Sequence, residues 1–166
     1  MDCRVKPGND DTDWRGARLN PHPRNPMAIR DVLLPLFVEV VLTFALLFWM
    51  GYLRTRAFSG GAVRLSEIAL REPNWPADTT KVANAFHNQL ELPMLFYVLT
   101  ILAWDTHHAG TVFVALAWLF VLLRIIQAVV HVTDNNVRRR GLAFILGAIV
   151  LAIMWGNFIV DILVGI

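Results

Sequence analysis

The chain has 166 residues, of which 56% are hydrophobic and 17% are charged, and its formal net charge is +2. Charged residues make up about a quarter of a typical soluble domain, so this composition indicates a membrane protein, and the length indicates one domain. The small net charge and the segregated arginines argue against a nucleic-acid partner, while the single cysteine, Cys3, excludes an internal disulfide and a cysteine-based metal site.

Residues 1–26 differ from the rest of the chain. They are polar, contain four prolines and show no apolar periodicity, which predicts a disordered or loosely attached arm. They also lack the apolar region of a signal peptide. Their opening sequence DCRVKPGNDD resembles translated repeat elements that over-extended gene predictions include, and Met27 is then the expected native start. We therefore treat residues 27–166 as the membrane domain.

Four apolar segments follow, each close to the roughly 20 residues that a membrane-spanning helix needs. No strand-like alternation competes with this interpretation, so the sequence predicts an all-α integral membrane four-helix bundle. Pro93 in the second segment cannot donate a hydrogen bond to the carbonyl of Gln89, which predicts a kink. The predicted segments are Val32–Leu53, Thr80–Trp104, Thr111–Val132 and Gly141–Ile162.

The basic residues lie mainly on one side of these segments. The first loop with the start of the second segment contains five of them, and the third loop contains three, whereas residues 105–110 contain none. The positive-inside rule therefore places loops one and three in the cytoplasm, in a multi-pass protein of a bacterial inner membrane. The eight residues are Arg54, Arg56, Arg64, Arg71, Lys81, Arg138, Arg139 and Arg140.

A polar face interrupts the apolar surface of the second segment. Asn84, Asn88 and Glu91 follow each other at i, i+4 and i+7, which is one face of a helix, and Lys81 and His87 flank it. A carboxylate among apolar residues costs about 2.5–3.5 kcal/mol on insertion scales, so such groups normally face a bundle interior or a wet cavity. This face is the predicted functional site.

The third segment carries a second polar face, formed by Arg124, Gln127 and His131 at i, i+3 and i+7. At about 1.5 Å per residue, Glu91 lies about 16 Å from the start of its helix and Arg124 about 12 Å from the end of its own. The two side chains are therefore predicted to lie within hydrogen-bonding reach, directly or through one intervening group. The alternative is that the pair and the neighbouring amides only hold the helices together.

The remaining ionisable residues of the apolar segments have less defined roles. His131 could serve as an acid, a base or a hydrogen-bond donor, or it could simply bond a backbone carbonyl. The adjacent His107 and His108 have no acidic neighbours, so no metal site is predicted. Glu39 is expected to join a site between subunits, and Asp161 to reach the outer interface.

Two sequence blocks carry a family resemblance. The first is N-x-x-E, here Asn88 and Glu91, followed by an apolar helix with an early proline. The second is RIIQAVVHVTDNNVRRRGLAFILG, in which an intramembrane arginine precedes a polar face and a short arginine-bearing loop. In this order and spacing the blocks resemble the MAPEG family, membrane-associated proteins in eicosanoid and glutathione metabolism. The resemblance covers roughly residues 27–166.

The resemblance implies a homotrimer of four-helix subunits that binds glutathione as a co-substrate between neighbouring subunits. Membrane lipid and a lipophilic small molecule are the other expected partners, and no metal is expected. By position, Asn88 and Glu91 resemble the residues that hold glutathione, Arg124 resembles the arginine behind them, and Arg140 resembles the arginine near the thiol. Arg138 is a second candidate for that catalytic role. The further predicted binding residues are Asn84, His87, Gln127 and His131.

Some positions depart from the family pattern. Catalytic members usually carry arginine at the position of Asn84, and many carry tyrosine where this chain has His131 and Phe144. Two functions therefore stay open. The first is a glutathione-dependent transferase or peroxidase that acts on lipophilic substrates, and the second is a noncatalytic lipid-binding or scaffolding membrane protein of the same fold.

Overall fold

The computed structural model describes residues 27–64, 66 and 74–165. The predictions for the arm at residues 1–26 lie outside these residues. The described part of the chain is helical and contains no strand, which confirms the all-α prediction. Its helices are α1 (Ile29–Ser59), α2 (Ala77–Asn88), α3 (Leu92–Asp105), α4 (Thr111–Val132) and α5 (Val137–Val164).

Helices α1, α4 and α5 are each long and apolar enough to cross a membrane, by length and composition. Helix α4 has the limits that the sequence predicted, whereas α1 and α5 extend beyond the predicted segments. Large apolar side chains such as Phe48, Leu122 and Ile149 are exposed on their outer faces. A soluble monomer rarely exposes so much contiguous apolar surface, so these faces suit contact with lipid or with other membrane helices.

The second predicted segment is broken into α2 and α3 and is not one kinked helix. The amides of Gln89 and Leu90 bond the carbonyls three residues before them, which tightens and ends α2. Glu91 then leaves the helical region with φ −95° and ψ −94°, and Pro93 lies in the first turn of α3. Proline is well tolerated there because a first-turn amide has no partner within the helix. The missing donor of Pro93 therefore produces a new helix start.

Helix α4 lies at the centre of the packing. Together with α3 and α5 it forms an apolar cluster in which the rings of Phe96 and Phe120 have centroids 4.8 Å apart. With α1 and α2 it forms a second cluster that includes Leu46, Val82 and Ala128. Between membrane helices such contacts act through close packing, since lipid is as apolar as the side chains. Both clusters fix the position of α2 and α5 relative to α4.

Candidate functional site

A pocket of about 560 Å³ lies where α2 ends, α4 ends and α5 begins. This volume falls within the range of about 300–1,000 Å³ that is typical of small-molecule sites. Three separate parts of the chain supply its walls. The lining residues are Asn84, His87, Asn88, Glu91, Gln127, His131, Arg140, Gly141, Phe144 and Ile145.

Seven of the nine predicted site residues line this one pocket, and the other two do not. Arg124 is fully buried deeper in the bundle, and Arg138 is exposed at the start of α5. The sequence prediction missed three apolar lining residues, which follow Arg140 at i+1, i+4 and i+5. That helical spacing is the signal that could have identified them, because it continues the face of α5 that carries Arg140. They are Gly141, Phe144 and Ile145.

The guanidinium of Arg140 is held on two sides. Its Nη1 donates to Nε2 of His131 at 2.8 Å and to the side-chain oxygen of Asn135. Arginine can only donate, so Nε2 of His131 is the acceptor and the ring proton of the neutral imidazole lies on Nδ1. Nδ1 is 3.3 Å from the side-chain amide nitrogen of Asn88, and a half-turn of that amide brings its oxygen to the ring proton. His131 therefore connects α2 to Arg140.

The turn between α4 and α5 supplies the second contact. Asn135 has φ +51°, a left-handed conformation that asparagine adopts more readily than most residues. The side chain of Asn136 then accepts hydrogen bonds from the amides of Arg138 and Arg139 at 3.1 and 3.2 Å and caps α5. This cap sets the phase of the helix, so Arg140 turns toward the pocket while Arg138 is exposed.

Asn88 is held from two directions at the end of α2. Its side chain faces His131, and its backbone carbonyl accepts a hydrogen bond of 3.1 Å from Nη2 of Arg124. In a continuous helix that carbonyl would bond the amide four residues later. Because the helix is interrupted after Asn88, the carbonyl is free to accept from the buried guanidinium. The hydrogen bond from Arg124 thus replaces the helical hydrogen bond that the break removes.

Glu91 and Arg124 were predicted to meet directly or through one intervening group, and the described part of the chain shows no direct ion pair between them. Arg124 is buried, whereas Glu91 is exposed in the pocket. The physical reason is the helix break, which takes Glu91 out of the helical face that Asn88 occupies. Glu39 of α1 is fully buried and is the strongest electrostatic neighbour of Arg124, ahead of Glu91. The expectation that Glu39 joins a site between subunits stays a prediction.

Arg124 also packs against aromatic rings. Its guanidinium carbon is 5.5 Å from the ring centroid of Phe144 and 6.0 Å from that of Phe120, distances typical of cation–π contacts. Phe144 belongs at the same time to the wall of the pocket. The buried cation therefore supports the pocket from behind on both the α2 and the α5 side.

The polar side chains on the α2 side are less constrained. Within the described residues, the side chains of Asn84, His87 and Glu91 make no hydrogen bond or ion pair with the protein. A carboxylate on one side and a guanidinium on the other can bind a ligand that carries both an ammonium and an acidic group. No group of three or more His, Cys, Asp or Glu residues in the part that the structure describes could hold a metal ion.

The comparisons with known proteins agree with the architecture. No curated protein and no solved structure matches the chain. The model of the MAPEG family matches residues 32–160, which include all the described helices except the extreme ends of α1 and α5. This match covers most of the chain and confirms the family that the sequence motifs indicated. The protein is therefore a membrane protein that belongs to the MAPEG family.

Proposed function

We propose that the pocket binds glutathione and that the protein uses it as a transferase or peroxidase on lipophilic substrates. One observation carries this proposal. The residues that resemble the glutathione-binding and thiol-proximal residues of the family lie far apart in the sequence, yet Asn88, Glu91 and Arg140 line the same pocket. Family membership gives the coarse assignment, and this convergence favours the specific ligand.

The chemistry of glutathione suits the arrangement. The tripeptide has an ammonium group for the carboxylate of Glu91, peptide groups for Asn84 and Gln127, and two carboxylates and a thiol that favour a cation. Nη1 of Arg140 is engaged by His131 and Asn135, but a guanidinium has five N–H donors, so others stay available. A guanidinium beside the sulfur stabilises the thiolate, which is the reactive form.

The reaction needs no further group from the protein. In the transferase, the thiol proton passes to water, the sulfur lone pair forms a bond to an electrophilic carbon, and the leaving group departs with the bonding electrons. In the peroxidase, the thiolate attacks the terminal peroxide oxygen and the O–O bond breaks, which gives a sulfenic acid and an alkoxide, and the alkoxide takes a proton from water to become the alcohol. A second glutathione then reduces the sulfenic acid to a disulfide and water.

Calorimetry on the detergent-solubilised protein tests the binding step. We expect heat of binding with millimolar glutathione, and we expect Glu91→Gln to weaken the affinity about tenfold or more because a charge-assisted contact is lost. Asp78→Asn is the matched control, since Asp78 is an exposed carboxylate at the start of α2 that pairs with Lys81 and does not line the pocket. No heat from the wild-type protein would contradict the proposal.

A noncatalytic protein of the same fold is the second candidate. No tyrosine is among the described residues that line the pocket, and Asn84 stands where catalytic members of the family usually have arginine. Both differences remove groups that favour turnover. Binding of glutathione without consumption of an aryl halide or a lipid hydroperoxide would support a lipid-binding or scaffolding role, and measurable turnover would exclude it.

The proposed function includes assembly as a homotrimer, as the family resemblance implies. The outward apolar surface of α1, α4 and α5 offers faces for neighbouring subunits as well as for lipid. Light scattering with refractive-index detection on the purified protein gives the protein mass without the detergent. A mass of three chains is expected, and a mass of one chain would contradict it.

The orientation is proposed from the basic loops, with loops one and three in the cytoplasm. The turn after α4 contains Asp134 and Asn135, and exposed arginines follow it. A cysteine introduced at Asp134, in a background where Cys3 is serine, should resist a membrane-impermeant thiol reagent in intact cells. A cysteine at Asp105, at the other end of the bundle, should react. The reverse pattern would invert the topology.

A further inference from the structure

A second pocket lies at the opposite end of the bundle, between the beginning of α4 and the end of α5. Its volume is about 500 Å³, again within the range of about 300–1,000 Å³ of small-molecule sites. It shares no residue with the first pocket. One part of its lining is apolar and the other is polar. The lining residues used here are Phe113, Leu116, Met154 and Phe158 on the apolar side, and Asn157 and Asp161 on the polar side.

The polar side contains a carboxylate without a protein partner. Asp161 is half-buried, lies in the last turns of a helix long and apolar enough to span a membrane, and makes no side-chain hydrogen bond or ion pair with any described residue. Ionisable groups within such helices are costly and normally serve a ligand or a partner group. No lysine or arginine is among the described residues that line the pocket. The pocket is therefore suited to a cation.

The apolar side is rigid. The ring of His108 packs edge-on against Phe158 at 6.2 Å and 88°, and Trp155 packs against the same ring at 6.1 Å and 82°. Met154 beneath them is almost fully buried in the central cluster. This wall is formed before any ligand arrives, and a preformed wall lowers the ordering cost of binding.

The pocket also adjoins the surface that suits contact with lipid. Val112 at its edge is 68% exposed, and Leu163 beside Asp161 is 80% exposed. A ligand with an alkyl chain can therefore reach the apolar wall from the side, through the membrane. Its charged end would then lie at the level of Asp161, near the end of α5, where the bilayer core meets the headgroup region.

We propose that this pocket binds an amino-phospholipid, the primary ammonium pairing with Asp161 and an acyl chain lying on Phe113, Leu116 and Met154. The side-chain amide of Asn157 supplies hydrogen-bond donors for the headgroup oxygens. Charge complementarity selects the occupant, because an anionic lipid would place its headgroup beside the carboxylate with no lysine or arginine among the described lining residues to compensate. The site is independent of the glutathione proposal, since it lies at the other end of the bundle.

Native mass spectrometry on the full chain tests this with phosphatidylethanolamine and phosphatidylglycerol of identical acyl chains. We expect the wild-type protein to retain phosphatidylethanolamine about tenfold better, and Asp161→Asn to abolish that preference. Asp105→Asn is the matched control, because Asp105 is an exposed carboxylate at the same end of the bundle outside the pocket. It should keep the wild-type preference.

Further arms separate the remaining outcomes. Leu116→Trp narrows the apolar side and should lower retention of both lipids, while an unchanged thermal midpoint shows that the variant is folded. Equal retention of the two lipids by the wild-type protein, or an unchanged preference in Asp161→Asn, would overturn the proposal. If a single-chain alkylamine bound at Asp161 and phosphatidylethanolamine did not, the lipid assignment would be overturned as well.

Discussion

The two walls of the candidate pocket are organised in opposite ways. On the wall from α4 and α5, His131, Arg140 and Asn135 form a connected set of hydrogen bonds. On the wall from α2 and the break after it, Asn84 and Glu91 have side chains without a protein hydrogen bond in the described part of the chain. The polar side chains of the first wall are bonded to each other, whereas those of the second wall have hydrogen-bonding groups available for a ligand.

This difference divides the work of the pocket. A cation that is to stabilise developing charge acts best when its position is fixed beforehand, because no reorganisation is then needed during the reaction. Groups that recognise a flexible peptide can instead adjust to it. Arg140 fits this division, since a cation is unfavourable near a helix N-terminus and here His131 and Asn135 hold it in place.

The largest expected effect concerns the support of the α2 wall. Arg124→Met removes the hydrogen bond to the carbonyl of Asn88 and leaves the buried Glu39 without its neighbouring cation. Glu39 and Arg124 form no direct ion pair in the described part of the chain, so the cost should lie toward the lower end of that for breaking a buried pair, and the free energy of unfolding should fall by about 3 kcal/mol. Unfolding in mixed micelles with increasing fractions of denaturing detergent measures it.

Two further variants show whether the loss of stability in Arg124→Met comes from the unpaired carboxylate. Glu39→Gln combined with Arg124→Met should recover much of the stability, because the stranded charge is then gone. Arg139→Met should cost less than about 1 kcal/mol, since its ion pair with Asp134 is largely exposed. A cost for Arg124→Met as small as that for Arg139→Met would show that the buried guanidinium does not support the wall.

The next effect tests the fixed cation, and it rests on the proposed glutathione chemistry. Arg140→Ala should raise the pKa of the bound thiol toward that of free glutathione and lower kcat about tenfold or more, while the affinity weakens less. The reason is that Glu91 and Asn88 hold the peptide on the other wall. The pH dependence of thiolate absorbance in the complex, together with steady-state kinetics, measures the two changes.

The neighbouring arginines are the controls. Arg138 and Arg139 carry the same charge within the same turn, but neither lines the pocket. If positive charge near the headgroups were the only requirement, alanine at any of the three positions would have the same effect, and Arg140 would lose its assignment. Arg140→Lys should be intermediate, because an ammonium keeps the charge without the planar geometry of the guanidinium.

A smaller effect on kcat is expected from His131, which contacts both walls of the pocket. His131→Leu removes the acceptor of Arg140 and the contact with Asn88, so the guanidinium should become mobile and kcat should fall about threefold to tenfold, the equivalent of roughly 1 kcal/mol for one hydrogen bond. The Nε–H resonance of Arg140 in nuclear magnetic resonance spectra reports the mobility directly.

His131→Gln separates the hydrogen bond from the ring. A glutamine oxygen can still accept from Arg140, so much of the activity and of the ordered resonance should return. His107→Leu at the other end of the bundle should change neither quantity. If glutamine behaved like leucine, the role of His131 would be packing alone.

Much of the fold could be predicted from the sequence because the composition changes from apolar to polar near the ends of the long helices. Helix α4 begins and ends where its composition changes, at Thr111 and Val132. The break after α2 was underestimated. Pro93 indicates that the carbonyl of Gln89 loses its helical hydrogen bond, which is compatible with a bend or with a new helix start. The sequence did not show that the neighbouring carbonyl of Asn88 bonds Arg124, which lies 36 positions away, in place of an amide of its own helix.

The site was predictable to the extent that a single helix carried it. The spacing of Asn84 and Asn88, and that of Gln127 and His131, follows from helical geometry and explains why these residues line one pocket. The electrostatic neighbour of Arg124 depends on the relative rotation of three helices. A comparison of depths in the membrane alone therefore predicted Glu91 as the neighbour of Arg124, although the buried acid beside Arg124 is Glu39 of α1.

Helical spacing could not decide whether Arg138 or Arg140 faces the pocket. The residues that decide it are also the subject of the smallest expected effect. The phase of α5 depends on Asn135 and the cap after it, so Asn135→Gly isolates one contribution. Glycine adopts the positive φ of +51° without strain but has no side chain for Arg140. Asn135→Ala loses the same hydrogen bond and is also strained at that φ, by about 1 kcal/mol. Both variants should increase the mobility of the Arg140 side chain equally, as its resonance reports. Only the alanine variant should also lower the free energy of unfolding by the cost of the strain. Equal stability of the two would show that the turn does not impose the left-handed conformation.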